Sequence, residues 1–159
     1  MALFLRFTGI DFDSDEAEAE LNTFIQQVQQ TANRYQGTLM DITIGDKGSY
    51  VYAVFGAPIA HEDHAVRACY AALRMQESVL RYTEELRSKH GIEVQIRVGL
   101  NSGEVVVRSI GSDLRMDYSA IGQTTHLAAR MEQTAPHGRL RISHDTWRHV
   151  RGLFETSEQ

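Results

Sequence analysis

A histidine and an arginine near the end of the sequence are spaced to act on one group. His126 and Arg130 lie four residues apart in the segment 123–133, whose pattern predicts a helix. Side chains at this spacing share one helix face, so both can contact the same polar group. Histidine donates a hydrogen bond and titrates near neutral pH. The alternatives are a structural salt bridge for Arg130, for instance to Glu132, and an ordinary, partly exposed helix position for His126.

A polar turn between two apolar runs forms a second candidate. The residues Gly-Asp-Lys-Gly at 45–48 separate the runs 38–44 and 50–55. Glycine supplies the positive φ angle that tight turns need, so the three segments predict a β-hairpin. Asp46 at its tip fits a turn former, since its side chain can satisfy backbone N–H groups.

Composition excludes several classes of protein. The 159 residues correspond to one domain, and 16 Lys and Arg against 21 Asp and Glu give a net charge of −5. An acidic chain lacks the dense basic face that nucleic acid requires. A single cysteine, Cys69, excludes a disulfide framework and a cysteine-based zinc site. Without a membrane-length apolar run or a signal peptide at the start, we expect a cytoplasmic domain with no membrane segment.

The elements that must position the candidate residues follow from hydrophobic periodicity. The predicted elements are strand 3–8, a helix from an N-cap at Ser14 to about Tyr35, strands 38–44 and 50–55, helix 62–88, two strands within 94–111, helix 123–133, strand 139–143 and helix 144–151. The first six follow the ferredoxin-like order βαββαβ. We therefore expect an α+β fold with a mostly antiparallel sheet and helices on one face, forming a single domain over residues 1–159. The abrupt end of the sequence predicts that this domain is excised from a longer multidomain chain.

Three stretches of the sequence point together to one family. They are TIGDKGSYVYAVFGAP (43–58), RVGLNSGEVVVRSIGS (97–112) and YSAIGQTTHLAARME (118–132). In this order and spacing they resemble the class III nucleotide cyclase domains, which make cyclic AMP or cyclic GMP. Gly122, Ala128 and Arg130 are in register with the family's last motif. The Asp-Lys-Gly turn and the Gly-Gln pair after Ile121 are most similar to the second cyclase domain of soluble, bicarbonate-responsive adenylyl cyclases.

The resemblance implies a reaction and the residues that carry it. In the family the ribose 3′-hydroxyl of ATP attacks the α-phosphorus and pyrophosphate leaves, assisted by two Mg²⁺ or Mn²⁺ ions per site. The catalytic residues it implies here are Arg130, at the family's arginine, and His126, where asparagine is usual. The implied nucleotide-binding residues are Ser119, Gly122, Gln123 and Lys47. We expect conversion of ATP to cyclic AMP and pyrophosphate, although the family's adenine-selecting lysine is absent and GTP therefore remains open as the substrate.

The family's two metal aspartates are poorly matched. Alignment on Gly9 places Arg6 at the first of them, and a cation there repels Mg²⁺ but suits an anion. An alternative is that Arg6 is simply a charge on an edge strand. The second metal position falls on Ser49 when the sequences are aligned at the Phe-Gly pair after the hairpin, and on Asp46 when they are aligned at the Gly-Asp pair within it.

These matches favour a domain that shares its active site with another. We expect a homo- or heterodimer with a second cyclase domain, which holds most of the metal, and weak or no activity from this domain alone. The alternative is a catalytically degenerate regulatory domain that binds a small anion or a nucleotide. A third interpretation is a ferredoxin-like domain with no role in nucleotide chemistry.

Overall fold

The computed structural model describes residues 1–45, 48–104 and 123–158. The elements in those ranges are β1 (Ala2–Thr8), α1 (Ala17–Arg34), β2 (Gly37–Thr43), β3 (Ser49–Phe55), α2 (His64–His90), β4 (Gln95–Asn101), α3 (Gln123–Thr134), β5 (Leu140–Ile142) and α4 (His144–Val150). The first six elements follow the expected βαββαβ order, and the α+β class is confirmed. The strand expected after β4 lies outside the described residues.

Five strands of the described residues form a central sheet with the order β2-β3-β1-β4-β5. β1 lies in the middle and pairs antiparallel with both β3 and β4, while β5 runs parallel to β4. Arg6 pairs with Tyr50 on one side and with Arg97 on the other. The interpretation of Arg6 as an edge-strand charge is therefore wrong, because its strand has neighbours on both sides.

The first face of the sheet carries the main core. Alternate residues of β1 point to this face, and Leu3, Leu5 and Phe7 are almost completely buried. α1 and α2 cover them with apolar stripes, and the rings of Phe7 and Phe24 meet with centroids 4.5 Å apart. Burial of each large apolar side chain contributes roughly 1.5–3 kcal/mol, so this face supplies most of the driving force for folding. Within the described ranges, none of the helices has the length and apolar character needed to cross a bilayer.

The second face of the sheet is covered by α3, which corrects the expectation that all helices pack on one face. Ala128 of α3 is fully buried and packs in one cluster with Tyr52 and Val54 of β3. Beneath the helix lies Gly99 of β4, where a Cβ atom would collide with the α3 backbone. Only glycine permits this close approach between helix and strand.

The helix ends agree with the sequence in part. Gly91 adopts the left-handed conformation after α2, with φ of 68°, and ends that helix as a glycine C-cap does. Ser143 caps α4 and accepts a hydrogen bond from the backbone N–H of Thr146 at 3.2 Å. The prediction that Ser14 caps α1 is wrong, because the helix begins later and its capping residue, Glu16, makes no side-chain cap hydrogen bond.

Substitution of Gly99 tests the close packing of α3. We expect Gly99→Ala to lower the free energy of unfolding by about 1–3 kcal/mol, because the new methyl group forces the helix backbone away from the sheet. Chemical denaturation measures the change. Gly45→Ala is the matched control, since a Cβ there meets only one atom within 4 Å, a backbone oxygen at 3.9 Å. Equal stability of the two variants would contradict such close packing of helix on strand.

Candidate functional site

The outer face of α3 carries the two residues that were predicted to bind phosphate. Ala128 and Glu132 are the buried residues of this 12-residue helix and face the sheet. Arg130 lies two residues from each of them and His126 two residues from Ala128, which is about 200° around the helix axis. Both are exposed, and their spacing of four residues places them side by side. The structure thus brings His126 and Arg130 together on a surface that points away from the sheet.

The inner face of α3 is tied to the sheet by one carboxylate. Glu132 is only 3% exposed, and its Oε1 atom accepts a hydrogen bond from Nε of Arg6 at 3.1 Å. The same oxygen lies 3.0 Å from Nη2 of Arg97. Glu132 is therefore committed to two arginines on the sheet, and it is not the structural partner that the sequence suggested for Arg130. We call Arg6, Arg97 and Glu132 together the Glu132 cluster.

Arg6 reaches from the helix to the β2–β3 hairpin. Gly48, at the end of the hairpin turn, has φ of 115°, and a Cβ atom there would overlap Nη1 of Arg6. The guanidinium of Arg6 therefore contacts the turn at Gly48 through Nη1 and Glu132 through Nε. A fixed positive charge occupies the region where the resemblance implied the first metal aspartate, and it disfavours a divalent cation by direct repulsion.

Ser49 lies on the opposite face of the sheet from Arg6. It is 2% exposed and pairs with Phe7, whose side chain belongs to the main core. Successive residues of a strand point to opposite faces, so Ser49 cannot share a metal ion with a side chain at position 6. The alignment that placed the second metal ligand on Ser49 does not fit this geometry. The described residues contain no group of three or more His, Cys, Asp or Glu side chains that could hold a metal ion.

Most of the remaining predicted site residues fall outside the described ranges. These are Asp46, Lys47, Ser119 and Gly122. Gln123 is described: it is the first residue of α3 and is exposed. It lies at the start of the helix that carries His126 and Arg130.

The first turn of α3 is held by polar contacts that the sequence did not reveal. Thr124 donates from Oγ1 to the backbone oxygen of Glu104 at 2.7 Å, and Asn101 donates from Nδ2 to the backbone oxygen of Thr124 at 3.0 Å. The hydroxyl groups of Tyr52 and Thr125 lie 3.4 Å apart. Burial raises the pKa of the Tyr52 phenol, with the Thr125 contact opposing this in part, so the phenol stays protonated at neutral pH.

One feature of the sequence could have predicted that Glu132 is buried and paired with cations. It lies four residues after Ala128, on the same side of the helix and therefore on the inner face. An acidic residue on an inner face requires cationic partners, because an unpaired buried charge is very costly. Which cations those are depends on strand order, which periodicity does not provide.

Removal of the Glu132 charge tests the cost of breaking the cluster. We expect Glu132→Gln to lower the free energy of unfolding by roughly 3 kcal/mol, because two arginines on neighbouring strands lose their shared counterion. Glu77→Gln is the control: Glu77 forms an exposed ion pair with Arg74 at 2.7 Å, and its loss costs about 0.5 kcal/mol or less. Urea denaturation at low salt measures both. A Glu132 variant as stable as the control would show that the cluster contributes little.

The sequence is similar to proteins of one known family. The sequence matches, over residues 7–159, the family described as adenylate and guanylate cyclase catalytic domain. Adenylate cyclase 1 of Rhizobium meliloti (strain 1021) is 30% identical over 118 residues, which are 74% of this chain and 17% of that protein. The chain thus spans a small part of that relative's length.

Two solved structures resemble this fold over nearly the whole chain. The adenylyl cyclase CyaB from P. aeruginosa superimposes with a TM-score of 0.81 at 26% identity, over 96% of this chain and 80% of that chain. The guanylate cyclase domain of RhGC from Catenaria anguillulae, solved in complex with GTP, superimposes with a TM-score of 0.75 at 30% identity, over 97% and 84%.

Proposed function

Because the chain belongs to the adenylate and guanylate cyclase catalytic domain family, we propose that it supplies one half of a nucleotide cyclase site shared with a second cyclase domain. The reaction is conversion of ATP to cyclic AMP and pyrophosphate, in the cytoplasm and for intracellular signalling. The observation that carries this proposal is the outward placement of His126 and Arg130 on α3. Residues that point away from their own sheet are available to a substrate held by another domain.

Arg130 and His126 act on the phosphate in this proposal. The guanidinium of Arg130 binds the oxygens of the α-phosphate and stabilises the charge that develops as the ribose 3′-oxygen attacks. His126 donates a hydrogen bond to the ribose or to the phosphate. Ser119, Gln123 and the backbone at Gly122 contribute to binding of the nucleotide, with Lys47 as a further candidate.

Divalent cations are assigned chiefly to the partner domain. When bound, two Mg²⁺ or Mn²⁺ ions polarise the attacking and leaving oxygens. The Glu132 cluster does not fit such an ion, because it carries two positive charges and one negative charge, and Oε1 of its carboxylate is shared by Arg6 and Arg97. Asp46 remains the one residue of this chain that we propose as a metal ligand.

Complementation tests the half-site. We expect the purified domain alone to produce little or no cyclic nucleotide from ATP or GTP with either Mn²⁺ or Mg²⁺. Addition of a cyclase domain that has both metal aspartates, but lacks its own arginine at the position equivalent to Arg130, should restore turnover. Turnover by the domain alone that rises with its concentration would instead indicate a working homodimer, with Asp46 ligating metal.

A second candidate function is a regulatory domain that binds a small anion or a nucleotide. It is favoured by the excess positive charge of the Glu132 cluster and by Nε of Arg97, which is buried without a hydrogen-bond partner among the described residues. The complementation mixture distinguishes the two candidates. A regulatory domain changes the activity of a partner that is already complete, whereas a half-site restores activity to one that lacks its arginine.

Removal of the Arg130 side chain tests its role in the shared site. We expect Arg130→Ala to lower kcat of the complemented enzyme by about 100-fold or more, which is the usual loss when one preorganised donor to the transition state is removed. Arg139→Ala is the matched control, because Arg139 is exposed and follows α3 in sequence. Initial rates at saturating nucleotide measure both variants. Equal rates for the Arg130 variant and the unmodified domain would remove Arg130 from the mechanism.

A further inference from the structure

We propose that Glu132 is a positioning residue for the reaction: it sets the location of α3 on the sheet and thereby the location of Arg130 and His126. This inference rests on the proposed half-site function. Its basis is the geometry at one oxygen atom. Oε1 of Glu132 accepts a hydrogen bond from Nε of Arg6 at 3.1 Å and lies 3.0 Å from Nη2 of Arg97. Residues of α3, β1 and β4 therefore meet at this one oxygen atom.

The two arginines define where that point must be. Arg6 and Arg97 are directly paired across β1 and β4, and like charges in this arrangement repel each other. A carboxylate between them relieves the repulsion most when it lies within hydrogen-bond distance of both. The two arginines therefore restrict the position of Glu132 Oε1 along the directions toward Arg6 and toward Arg97. Through its side chain, Glu132 restricts the position of the last turns of α3.

The close packing on Gly99 limits how near α3 comes to the sheet, but the small residues Ala128 and Gly99 offer little surface that would stop the helix from sliding along it. The polar contacts of Thr124 and Thr125 hold the first turn. Among the described residues, the Glu132 cluster is the polar anchor to the sheet that lies nearest to Arg130 along the helix, two residues away.

A carboxylate shortened by one methylene tests this inference. In Glu132→Asp the charge is kept, but the carboxylate is drawn back toward the helix by one methylene, so it keeps both contacts only if the helix or the two arginine side chains shift. We expect kcat of the complemented enzyme to fall by about 10- to 100-fold, in line with the effect of an ångström-scale misplacement. KM should change by less than about threefold, because Glu132 does not touch the nucleotide in this proposal.

A double-mutant cycle with Arg130→Ala separates positioning from a general structural effect. If Glu132 acts largely through Arg130, the Glu132→Asp substitution has a smaller effect on kcat once the Arg130 side chain is gone, and what remains is the part that acts through His126. An equal fall in both backgrounds, or unchanged kcat in the single variant, overturns the proposal. Glu77→Asp is the matched control, since it shortens the carboxylate of an exposed ion pair and leaves kcat unchanged.

Amide hydrogen exchange keeps the inference testable if the complemented enzyme is inactive. Inactivity of the unmodified domain, or an Arg130→Ala variant with full activity, contradicts the proposed function and not the anchoring of α3. In that case Glu132→Asp should accelerate exchange over residues 123–134 by at least about tenfold while α2 keeps its protection. Unchanged exchange in α3 overturns the proposal. Arg97→Lys replaces Glu132→Asp in every arm if the latter does not fold, because lysine keeps the charge but loses the guanidinium geometry.

Discussion

The attachment of α3 to the sheet depends on a buried carboxylate shared by two arginines. A carboxylate that is 3% exposed loses most of its hydration, and in isolation that loss costs several kcal/mol. Arg6 and Arg97 keep about a quarter of their side-chain surface in solvent, 25% and 23%, so their own desolvation is smaller. The attraction of the carboxylate to both arginines therefore offsets the desolvation of Glu132 at a smaller cost than two fully buried cations would impose. The second face of the sheet therefore combines a buried charge cluster with a small apolar cluster, whereas apolar burial alone organises the first.

This difference between the two faces has a chemical consequence. On the first face, residues such as Leu5 and Phe7 are closed to any ligand by α1 and α2. On the second face, α3 leaves a surface that combines the arginines of the Glu132 cluster with the aromatic rings of Phe4 and Tyr50, whose centroids are 5.7 Å apart. Cations and aromatic rings are features that bind anions and bases. They are unsuited to holding Mg²⁺, which requires oxygen ligands.

Much of the fold could be predicted from the sequence, because strands and long helices are indicated by local periodicity. The alternation of Leu3, Leu5 and Phe7 and the long stripe of α2 are such signals, and both elements were found close to their expected limits. The packing side of α3 was not predictable in this way. Its inner face consists of Ala128 and Glu132, which do not form an apolar stripe, and its partners are remote in sequence.

The candidate site divides in the same way into local features that could be foreseen and long-range features that could not. The shared face of His126 and Arg130 follows from helical spacing alone, and the structure shows it. The surroundings of Arg6 depend on strand order, since only a central strand places Arg97 beside it. Likewise, the burial of Ser49 in the main core follows from strand register, which the ambiguous alignment of the hairpin could not fix.

The internal charges of the Glu132 cluster also bear on how a two-domain site can work. A cyclase domain whose metal position carries carboxylates has negative charges that repel one another until cations bind. Here Arg6 supplies a permanent cation, so the interaction between α3 and the sheet needs no metal ion to balance it. In the proposed function, this contact holds the outward face of α3, with His126 and Arg130, in place before a nucleotide binds. Preorganised donors contribute most to stabilisation of a transition state, because they need no rearrangement when charge develops. That is what the proposed half-site requires of a domain that orients phosphate while its partner brings the metal.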